Sequence, residues 1–326
     1  MSKPAPTASP PAARDATPDL PVDRTASGAA PAAPARGPAR ALLRALRPKQ
    51  WLKNVLLVAA PGAAGVLTQA SALGTTALAF VAFCLVSSGT YLINDVGDVE
   101  EDRRHPVKRR RPIASGEVSP RTAVVTAVLL MGAGLAVAAT VRWAFLALVV
   151  GYVAVTLSYT GWLKHMAVFD IAVVAGGFIF RAVGGGVAVD VPISRWFLIV
   201  ASFGSLFIVA GKRYSEHVTM GAERETTRAT LATYSRDYLR YVYTMASGVT
   251  LLGYCLWAFE SSRLEGDIPW FELSIIPFAV GVLRYALLLD EGHGGAPEEI
   301  VLGDRPLQVL GLIWVIVYGA GVSVVH

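Results

Sequence analysis

The residues of this chain best suited to chemistry lie in one charged stretch that directly follows an apolar run. Residues 94 to 116 read NDVGDVEEDRRHPVKRRRPIASG, with five acidic and six basic side chains. On a helix, Asp95, Asp98 and Asp102 fall at i, i+3 and i+7, so their carboxylates are predicted to project from one face. Hard divalent cations prefer oxygen ligands and would offset the repulsion between these carboxylates. The spacing therefore predicts a Mg²⁺ site made by the three aspartates and Asn94, with a solvated helix end as the alternative interpretation.

The rest of the chain has the composition of a membrane protein. Of 326 residues, 54% are hydrophobic and only 16% are charged, and the mean hydropathy is +0.50. The apolar residues are grouped in runs of the length that a helix needs to cross about 30 Å of hydrocarbon. They predict an all-α, polytopic integral membrane protein with about nine transmembrane helices, at residues 55–70, 73–93, 122–141, 143–160, 167–188, 194–211, 239–259, 270–289 and 306–325.

The segment before these helices differs in composition. Residues 1 to 40 are rich in Pro, Ala and Ser and have no large apolar residues at a regular period, which predicts a disordered extension. Residues 41 to 326 are predicted to form the folded transmembrane domain. The two cysteines, Cys84 and Cys255, fall inside predicted helices, where small buried side chains are expected and a disulfide framework is not.

The distribution of Lys and Arg predicts the orientation of the chain, because short cytoplasmic loops retain these residues. Nine precede the first predicted helix, seven follow the second and six follow the sixth, whereas the loops on the opposite side hold only Arg142, Arg195 and Arg263. The N-terminus and the long charged loops are therefore predicted to be cytoplasmic, on the side from which water-soluble substrates would enter.

The motif N-D-x-x-D-x-x-x-D, at the end of the second of nine predicted helices, resembles the first Asp-rich motif of the UbiA-type intramembrane prenyltransferase superfamily. The resemblance covers about residues 41 to 326. It implies a helical bundle with an active-site cavity that opens to the cytoplasm. In that cavity the motif is expected to bind Mg²⁺ and a diphosphate.

Further stretches resemble one branch of that superfamily, the decaprenyl-phosphate phosphoribosyltransferases. They are RPKQWLKNVLL at 47–57, GKRYSE at 211–216, and the late LWAFE, PFAVGVLRYALLLD and PEEIVLGDRPLQ. This resemblance implies transfer of 5-phosphoribose from 5-phosphoribosyl 1-diphosphate to decaprenyl phosphate, in a bacterial plasma membrane, for the synthesis of cell-wall arabinan precursors. The implied partners are these two substrates and the membrane, with no nucleic acid. The resemblance is also compatible with a homo-oligomer, of which a trimer is one form, and nine helices could equally pack as a monomer.

The same resemblance implies roles for several residues at the donor phosphates. Lys108 and Arg111 match the branch pattern H-P-x-K-x-x-R-P, in which Arg109 and Arg110 occupy variable positions. Tyr159 and Lys164, at the end of the fourth predicted helix, resemble a Tyr and Lys pair that lies near the diphosphate in the superfamily.

The segment after the sixth predicted helix departs from the usual superfamily pattern. Most members carry a second Asp-rich motif there, whereas this chain has Lys212 and Arg213, and Glu216 is the first acid. Cations bind phosphate directly through charge-assisted hydrogen bonds. We therefore expect one principal Mg²⁺ site, with Lys or Arg on the remaining phosphates and Glu216 as a further candidate.

Two groups of polar residues each allow two interpretations. Lys49, Lys53 and Asn54 precede the first predicted helix, so they form either an interfacial anchor or a clamp for the lipid phosphate. Asp170 and Arg181 lie inside the fifth predicted helix. Charges within a membrane helix are candidate functional residues, and the alternative is that these two pair with each other or with Arg284. The surrounding sequence GGFIFRAVGGG predicts close helix packing.

Two other functions are compatible with such a chain. An aromatic-acceptor prenyltransferase shares the fold and the first Asp-rich motif, and it is disfavoured chiefly by Lys212 and Arg213. A membrane transporter would also bury charges among its helices, but transporters usually contain repeated halves, and the sequence has no convincing internal repeat.

Overall fold

The structure is a computed structural model, and it describes residues 37–219, 233–262, 268–292 and 297–325. Within these ranges the fold consists of helices. The α-helices in these residues are α1 (Pro38–Ala45), α2 (Ala59–Ala63), α3 (Ala70–Gly97), α4 (Val99–Arg104), α5 (Pro120–Val141), α6 (Trp143–Gly161), α7 (Phe169–Val189), α8 (Arg195–Thr219), α9 (Arg236–Ser261), α10 (Trp270–Asp290), α11 (Pro297–Gly303) and α12 (Arg305–Val325). No strand occurs in these ranges. The predicted all-α fold class is confirmed.

Eight of these helices have the length and apolarity of membrane spans, counted over the described residues. They are α3, α5, α6, α7, α8, α9, α10 and α12. Each lies on one of the nine predicted spans, because runs of about 20 apolar residues bounded by charged or turn residues mark both helix ends in the sequence. The described residues from Gly37 onward belong to one compact unit.

The first predicted span, residues 55 to 70, differs from the others because it is not one continuous α-helix. The chain forms a long 3₁₀ helix at Pro48–Val58, called the 3₁₀ segment below, followed by α2 and a single 3₁₀ turn at Val66–Thr68. Pro61 lies inside α2 and has no backbone N–H to donate. Gly65 has a φ of 68°, a left-handed conformation that glycine adopts without strain. The first predicted span is therefore built from short helical pieces.

The predicted N-terminal extension lies almost entirely outside the described residues. For residues 1 to 36, disorder stays a prediction. The described chain begins at Gly37, and α1 already starts at Pro38, so the folded part begins slightly before the predicted boundary at residue 41.

The charged segment after the sixth predicted span is partly helical, which corrects the expectation of a loop there. That span was expected to end at residue 211, but α8 continues to Thr219. Lys212, Arg213 and Glu216 therefore lie on the last turns of α8. Apolarity limits how much of a helix can lie in hydrocarbon, but it does not limit how far the helix continues beyond it.

Helices α3 and α5 pack closely at two glycines. A Cβ atom on Gly89 would lie 2.9 Å from the backbone oxygen of Ala127, and one on Gly134 would lie 3.0 Å from that of Ala82. Small residues let membrane helices approach to backbone contact, which is the main source of packing energy where no water is displaced. This pair holds the end of α3, which carries the acidic motif.

The 3₁₀ segment packs against α7 in the same way. A Cβ atom on Gly185 would lie 1.7 Å from the backbone oxygen of Leu57, and Leu57 is fully buried. The predicted use of the glycine-rich sequence in α7 for close packing is confirmed. This contact sets the position of the 3₁₀ segment and of the polar side chains on it.

We expect Gly185→Ala to destabilise the protein by about 1–3 kcal/mol or more, because the backbone of the 3₁₀ segment cannot yield as a flexible side chain would. The thermal midpoint of unfolding of the purified protein measures the effect. Gly176→Ala is the matched control, since Gly176 lies on the same helix and its Cβ would meet nothing within 4 Å. Equal midpoints for the two variants would contradict the predicted clash.

One hydrophobic core lies among α7, α8, α9 and α10. Its largest buried side chains include Tyr214, Phe207, Tyr243, Leu239 and Leu289, and the Tyr243 ring contacts the rings of Tyr214 and Phe207. Helix α7 also contributes to the core around α3, α5 and α6. It therefore joins two groups of helices, and polar side chains on α7 face residues from both.

Candidate active site

The acidic motif lies at the junction of α3 and α4. Helix α3 ends at Gly97, Asp98 has φ −94° and ψ 6°, and α4 starts at Val99. The side chains of Asp95 and Asp102 are only 3% and 2% exposed, and that of Asp98 is 18% exposed. Burial of carboxylates is costly unless they are paired, so their partners decide what this site can do.

Two arginines pair with Asp95 and Asp102. Arg111 Nη1 donates to Asp95 Oδ1 at 3.1 Å and to Asp102 Oδ2 at 2.7 Å, so it bridges both carboxylates. Arg47 Nη2 donates to the same oxygen of Asp95. Through these contacts, α3 and α4 meet Arg47 and the loop that follows α4, residues 105–119, which is called the basic loop below.

Arg47 was not among the residues selected from the sequence. The φ of Arg47 is 54°, which is uncommon for a residue other than glycine. Arg47 also precedes Pro48, and a following proline restricts the backbone further. Its guanidinium lies 5.3 Å from the centre of the Tyr91 ring. The contacts with Asp95 and Tyr91 hold this conformation. The quoted stretch RPKQWLKNVLL began at Arg47, but nothing in its spacing indicated a contact with a residue 48 positions later.

Asp98 faces a different cation from those that bind Asp95. Lys164 Nζ donates to Asp98 Oδ1 at 2.5 Å, and Asn94 Nδ2 donates to Asp98 Oδ2 at 2.8 Å. Thr160, the penultimate residue of α6, donates to Asn94 Oδ1 at 3.3 Å. The predicted nearness of Lys164 to the acidic motif is thus found in the structure, whereas the three carboxylates are divided between two sets of cations.

The oxygen atoms at this centre are of the kind that a magnesium ion prefers. Across the described ranges, no three Asp, Glu, His or Cys side chains are grouped as a complete metal site. The donor set of Asn94, Asp95, Asp98 and Asp102 nevertheless consists of oxygen atoms. Mg²⁺ commonly takes only one or two carboxylates and completes its shell with substrate phosphates and water.

The basic loop after α4 places Lys108 and Arg111 differently. His105 Nδ1 accepts hydrogen bonds from the backbone N–H groups of Val107 and Lys108, at 3.1 and 3.2 Å, which shapes the turn. The Lys108 side chain is half-buried, while Arg109 and Arg110 are exposed. Arg111, the last of the four basic residues at 108 to 111, contacts the carboxylates of Asp95 and Asp102.

Three side chains follow one face of the 3₁₀ segment and its first flanking residue. A 3₁₀ helix has three residues per turn, so Arg47, Gln50 and Lys53 lie on the same side. Gln50 Nε2 donates to Glu298 Oε1 at 2.7 Å, and Lys53 Nζ lies 3.6 Å from Glu298 Oε2. Lys53 also donates to Gln50 Oε1. Glu298, on α11, was not selected from the sequence.

Lys53 lies in a surrounding that disfavours its charge. Its side chain is 19% exposed, and Nζ lies 5.8 Å from the centre of the Phe178 ring. Burial lowers the pKa of Lys53 to about 8, with a smaller lowering by Lys212 and Arg181, and Glu298 opposes the change. A pKa near 8 means that this lysine can change charge close to physiological pH.

The three residues predicted as a lipid-phosphate clamp are not brought together. Lys49 is exposed, and Lys53 faces Glu298. Asn54 is fully buried on another side of the 3₁₀ segment, where its Oδ1 accepts from Arg181 Nε at 2.7 Å. Of the three, Lys53 and Asn54 lie in the interior, and only Lys53 presents a cation there.

Arg181 lies within α7 and is 4% exposed. Its Nη1 donates to the backbone oxygen of Gly177 at 2.5 Å and its Nη2 to the Tyr152 hydroxyl at 3.0 Å. The guanidinium also lies 4.9 Å from the centre of the Tyr152 ring. With the contact to Asn54, Arg181 is thus held by neutral acceptors and aromatic rings and retains its positive charge inside the protein.

Asp170 belongs to a separate cluster at the other end of α7. Tyr234 donates to Asp170 Oδ1 at 2.5 Å, and Arg213 Nε donates to Asp170 Oδ2 at 3.3 Å. Arg213 also contacts Glu216 at 3.0 Å, and Lys212 lies 3.8 Å from Glu216. Burial, with a further contribution from the bond to Asp170, raises the pKa of Tyr234, which keeps its phenol protonated as a donor.

Asp170 and Arg181 therefore have other partners than the pairings considered from the sequence. Arg284 pairs instead with Asp304, at 2.6 Å between Nη2 and Oδ2. Tyr159 lies close enough to Arg213 to interact with it electrostatically. Two centres result from these contacts, one at the acidic motif and one at the end of α8, with the 3₁₀ segment and Glu298 as a third polar region.

Comparison with known proteins identifies the family. Residues 55–301 match the UbiA prenyltransferase family. A decaprenyl-phosphate phosphoribosyltransferase from Corynebacterium glutamicum is 47% identical over 282 residues, covering 83% of each chain. The enzyme of that name from Mycolicibacterium smegmatis is 45% identical over 293 residues, covering 86% of this chain and 91% of the relative.

The fold has solved counterparts. The structure of a UbiA homologue from Archaeoglobus fulgidus, bound to DMAPP and Mg²⁺, superposes with a TM-score of 0.68 at 18% identity and covers 87% of this chain and 99% of that one. The eight apolar helices and the family match make this chain a multi-pass integral membrane protein. The chain belongs to the UbiA prenyltransferase family.

Proposed function

We propose that this chain transfers 5-phosphoribose from 5-phosphoribosyl 1-diphosphate to a polyprenyl phosphate such as decaprenyl phosphate, with release of diphosphate. Two relatives that carry the name of this activity and are 45–47% identical over more than four-fifths of the chain support the proposal. The observation that carries it is the position of Lys212 and Arg213, on the last turns of α8, where a second Asp-rich motif would serve a prenyl diphosphate.

The proposed reaction needs little acid or base chemistry from the protein. An oxygen of the lipid phosphate forms a bond to C1 of the ribose while the bond from C1 to the diphosphate oxygen breaks, which inverts C1 from α to β. A phosphate monoester is already ionised at neutral pH, so no side chain has to remove a proton from the nucleophile. Positioning and electrostatic stabilisation are therefore the tasks of the protein.

We assign the diphosphate of the donor to the acidic centre. Asn94, Asp95, Asp98 and Asp102 would hold Mg²⁺, which when bound neutralises charge on the departing diphosphate. Arg111 and Lys164 already contact these carboxylates. They lie where they can orient the phosphate oxygens by charge-assisted hydrogen bonds.

The remaining predicted residues receive roles that agree with their surroundings. Lys212 and Arg213, with Tyr159 beside Arg213, would orient the other donor phosphate, and Glu216 would hold both cations in place. Lys108, half-buried in the basic loop, would contact the donor from the cytoplasmic side.

The lipid phosphate is assigned to Lys53. This cation lies in the interior. Asn54, the next residue, holds Arg181 by a hydrogen bond, and Arg181 is close enough to interact electrostatically with Lys53. The two positive charges together favour binding of an anion between the helices. Lys49 is exposed and would act at the membrane surface. Asp170 would keep Arg213 in position.

We further propose a bacterial plasma-membrane location with the N-terminus and the acidic centre on the cytoplasmic side. The excess of Lys and Arg around the acidic centre supports this orientation. A homo-oligomer, with a trimer as one form, is part of the proposal as well. Size measurement of the detergent-solubilised protein by light scattering would test the oligomeric state.

The decisive experiment supplies purified protein with Mg²⁺, 5-phosphoribosyl 1-diphosphate labelled in the ribose, and a polyprenyl phosphate. We expect label to enter the organic phase only when the lipid phosphate is present. A parallel reaction offers a prenyl diphosphate and an aromatic acid. Product in that second reaction, without transfer of ribose label in the first, would replace the proposal by an aromatic-acceptor prenyltransferase.

The pKa of Lys53 gives this assignment a pH dependence. With a pKa of about 8, Lys53 is about nine-tenths protonated at pH 7 and about one-tenth at pH 9. We expect kcat/KM for the lipid phosphate, at saturating donor, to fall above pH 8, because this ratio reports ionisations of the enzyme form that binds the lipid. The second ionisation of the phosphate lies near pH 6 and does not overlap.

Loss of folding would not explain such a fall. The folded-state pKa of Lys53 lies below its unfolded value of 10.5, so unfolding takes up a proton between pH 8 and 10.5, and the contribution of this residue to stability rises with pH in that window. In Lys53→Arg, whose side chain stays charged, the fall should move to higher pH. A fall at the same pH in both proteins would remove Lys53 from the lipid-phosphate site.

A further inference from the structure

Glu298 is a buried carboxylate with one oxygen that pairs electrostatically with Lys53 but accepts no hydrogen bond from the described residues. Its side chain is 7% exposed. Oε1 accepts the hydrogen bond from Gln50, but Oε2 has no hydrogen-bond partner within the described ranges, and its distance of 3.6 Å from Lys53 Nζ is too long for one. The next residue, Glu299, is exposed on the same short helix. Buried polar atoms are normally hydrogen-bonded, so Oε2 is an acceptor that a ligand hydroxyl could use.

A second unsatisfied atom lies near the first. The Tyr285 hydroxyl on α10 has no hydrogen-bond partner among the residues that the structure describes, and the residue is 7% exposed. The Glu298 carboxylate interacts electrostatically with this hydroxyl. One atom that can only accept and one that can donate or accept therefore lie in the same interior region. A ligand hydroxyl could satisfy both, since it donates one hydrogen bond and accepts others.

Glu298, on α11, contacts the 3₁₀ segment close to the residue that reaches the acidic centre. Arg47 contacts Asp95, and Gln50, which holds Glu298, lies one 3₁₀ turn further on. A 3₁₀ helix rises about 2 Å per residue, so one turn corresponds to about 6 Å. Tyr91 interacts with both Arg47 and Glu298. Because Arg47 reaches Asp95 and Gln50 reaches Glu298 from adjacent turns of one helix, Glu298 is suited to the group that is bonded directly to a diphosphate held at Asp95.

The charge of Glu298 restricts what that group can be. A carboxylate gains nothing from a hydrocarbon chain and accepts a strong hydrogen bond from a hydroxyl, and it tolerates a nearby phosphate only where a cation such as Lys53 lies between them. A prenyl diphosphate has no hydroxyl to offer, whereas a ribosyl diphosphate has two on its ring. The neighbouring Lys53, assigned above to the attacking phosphate, lies on the side where that phosphate must approach the sugar.

We propose that Glu298 Oε2 accepts a hydrogen bond from a ring hydroxyl of the phosphoribosyl donor, with the Tyr285 hydroxyl as a second contact, and thereby selects a sugar diphosphate over a prenyl diphosphate. The inference rests on the proposed function and adds to it a specificity-determining residue outside the Asp-rich motif. No bond to Glu298 forms or breaks in the reaction, and its role is to orient the ribose relative to the lipid phosphate.

The test compares donors that differ by one hydroxyl. For the wild-type protein, kcat/KM is measured with 5-phosphoribosyl 1-diphosphate and with its 2-deoxy and 3-deoxy analogues. We expect one analogue to be used roughly tenfold to a hundredfold less well, the effect of losing a hydrogen bond to a charged group. In Glu298→Gln this ratio should shrink to about threefold or less, and Glu299→Gln should keep the wild-type ratio. The intrinsic reactivity of each donor cancels when ratios are compared between proteins.

The outcomes separate this inference from the proposed function. Wild-type protein that transfers no label from 5-phosphoribosyl 1-diphosphate would overturn both. Normal wild-type transfer with an unchanged donor ratio in Glu298→Gln would overturn the inference alone and leave Glu298 as an anchor for Gln50. If Glu298→Gln does not fold, Tyr285→Phe removes only a hydroxyl, and dissociation constants of the same donors provide the ratio. A ratio in Tyr285→Phe equal to that of the wild type would then contradict the proposal.

Discussion

Asp98→Asn is expected to lower kcat/KM by about a hundredfold to a thousandfold, the range found when one electrostatic contact to a transition state is removed. Asp98 is the most exposed of the three aspartates, and its carboxylate binds Lys164 and Asn94. An asparagine has the same size and can still accept a hydrogen bond from Lys164, so the helix junction should stay folded. The asparagine lacks the negative charge to which we assign the binding of Mg²⁺. Label transfer from the ribosyl donor, measured over a range of Mg²⁺ concentrations, tests the expectation.

Glu101→Gln is the matched control for this prediction. Glu101 lies three residues after Asp98, on α4, and is exposed, so its neutralisation changes the net charge equally without touching the centre. It should retain wild-type activity and the wild-type dependence on Mg²⁺. In Asp98→Asn the Mg²⁺ concentration for half-maximal activity should rise. Undiminished turnover of a well-folded Asp98→Asn protein would remove this carboxylate from the metal site.

The sequence was sufficient to locate the long helices because many of their boundaries are marked locally, although the end of α8 was not. The α5 helix starts at Pro120 after Ser119, whose side chain accepts from the Thr122 backbone, and it ends before Arg142. Such signals need no knowledge of the rest of the chain. The first predicted span failed as a continuous helix because hydropathy alone does not weigh the effects of Pro61 and Gly65 on backbone hydrogen bonds and conformation.

Within the candidate site, the acidic motif was predictable and its partners were only partly so. The aspartates are close in sequence, and Lys164 was selected through the family resemblance. Arg47 and Glu298 were missed because their contacts join residues 48 and 248 positions apart. A three-residue period that started at Arg47 and included Gln50 would have been the available signal, but it requires recognising a 3₁₀ helix where apolar content predicts an α-helix.

The sequence indicated that Asp170 and Arg181 are charges within an apolar helix, but it did not predict which residues would pair with them. Arg181 is held by Asn54 and Tyr152, neither of which carries a charge of the opposite sign. Asp170 is joined to Arg213 of the next helix, 43 positions later. Residue type and spacing report that a charge lies in an apolar helix, whereas the neighbour that stabilises it depends on how the helices pack.

The basic loop provides the second large expected effect. Arg111→Gln should lower kcat/KM by about a hundredfold or more, because Arg111 bridges Asp95 and Asp102 at 3.1 and 2.7 Å. Removal of its charge leaves two buried carboxylates with less compensation and takes away a cation that we assign to the donor diphosphate. Label transfer at matched expression and membrane insertion measures the effect.

A double change of Arg109 and Arg110 to Gln separates this specific role from general positive charge. Both side chains are exposed, so they can contribute only through the screened field of the loop and through retention on the cytoplasmic side. The double variant loses two charges, Arg111→Gln loses one, and yet the double variant should stay within about threefold of wild-type activity, as surface charges act weakly. If a correctly inserted double variant loses as much activity as Arg111→Gln, then the summed charge of the loop governs donor binding, and the bridge between Asp95 and Asp102 has no special part in the reaction.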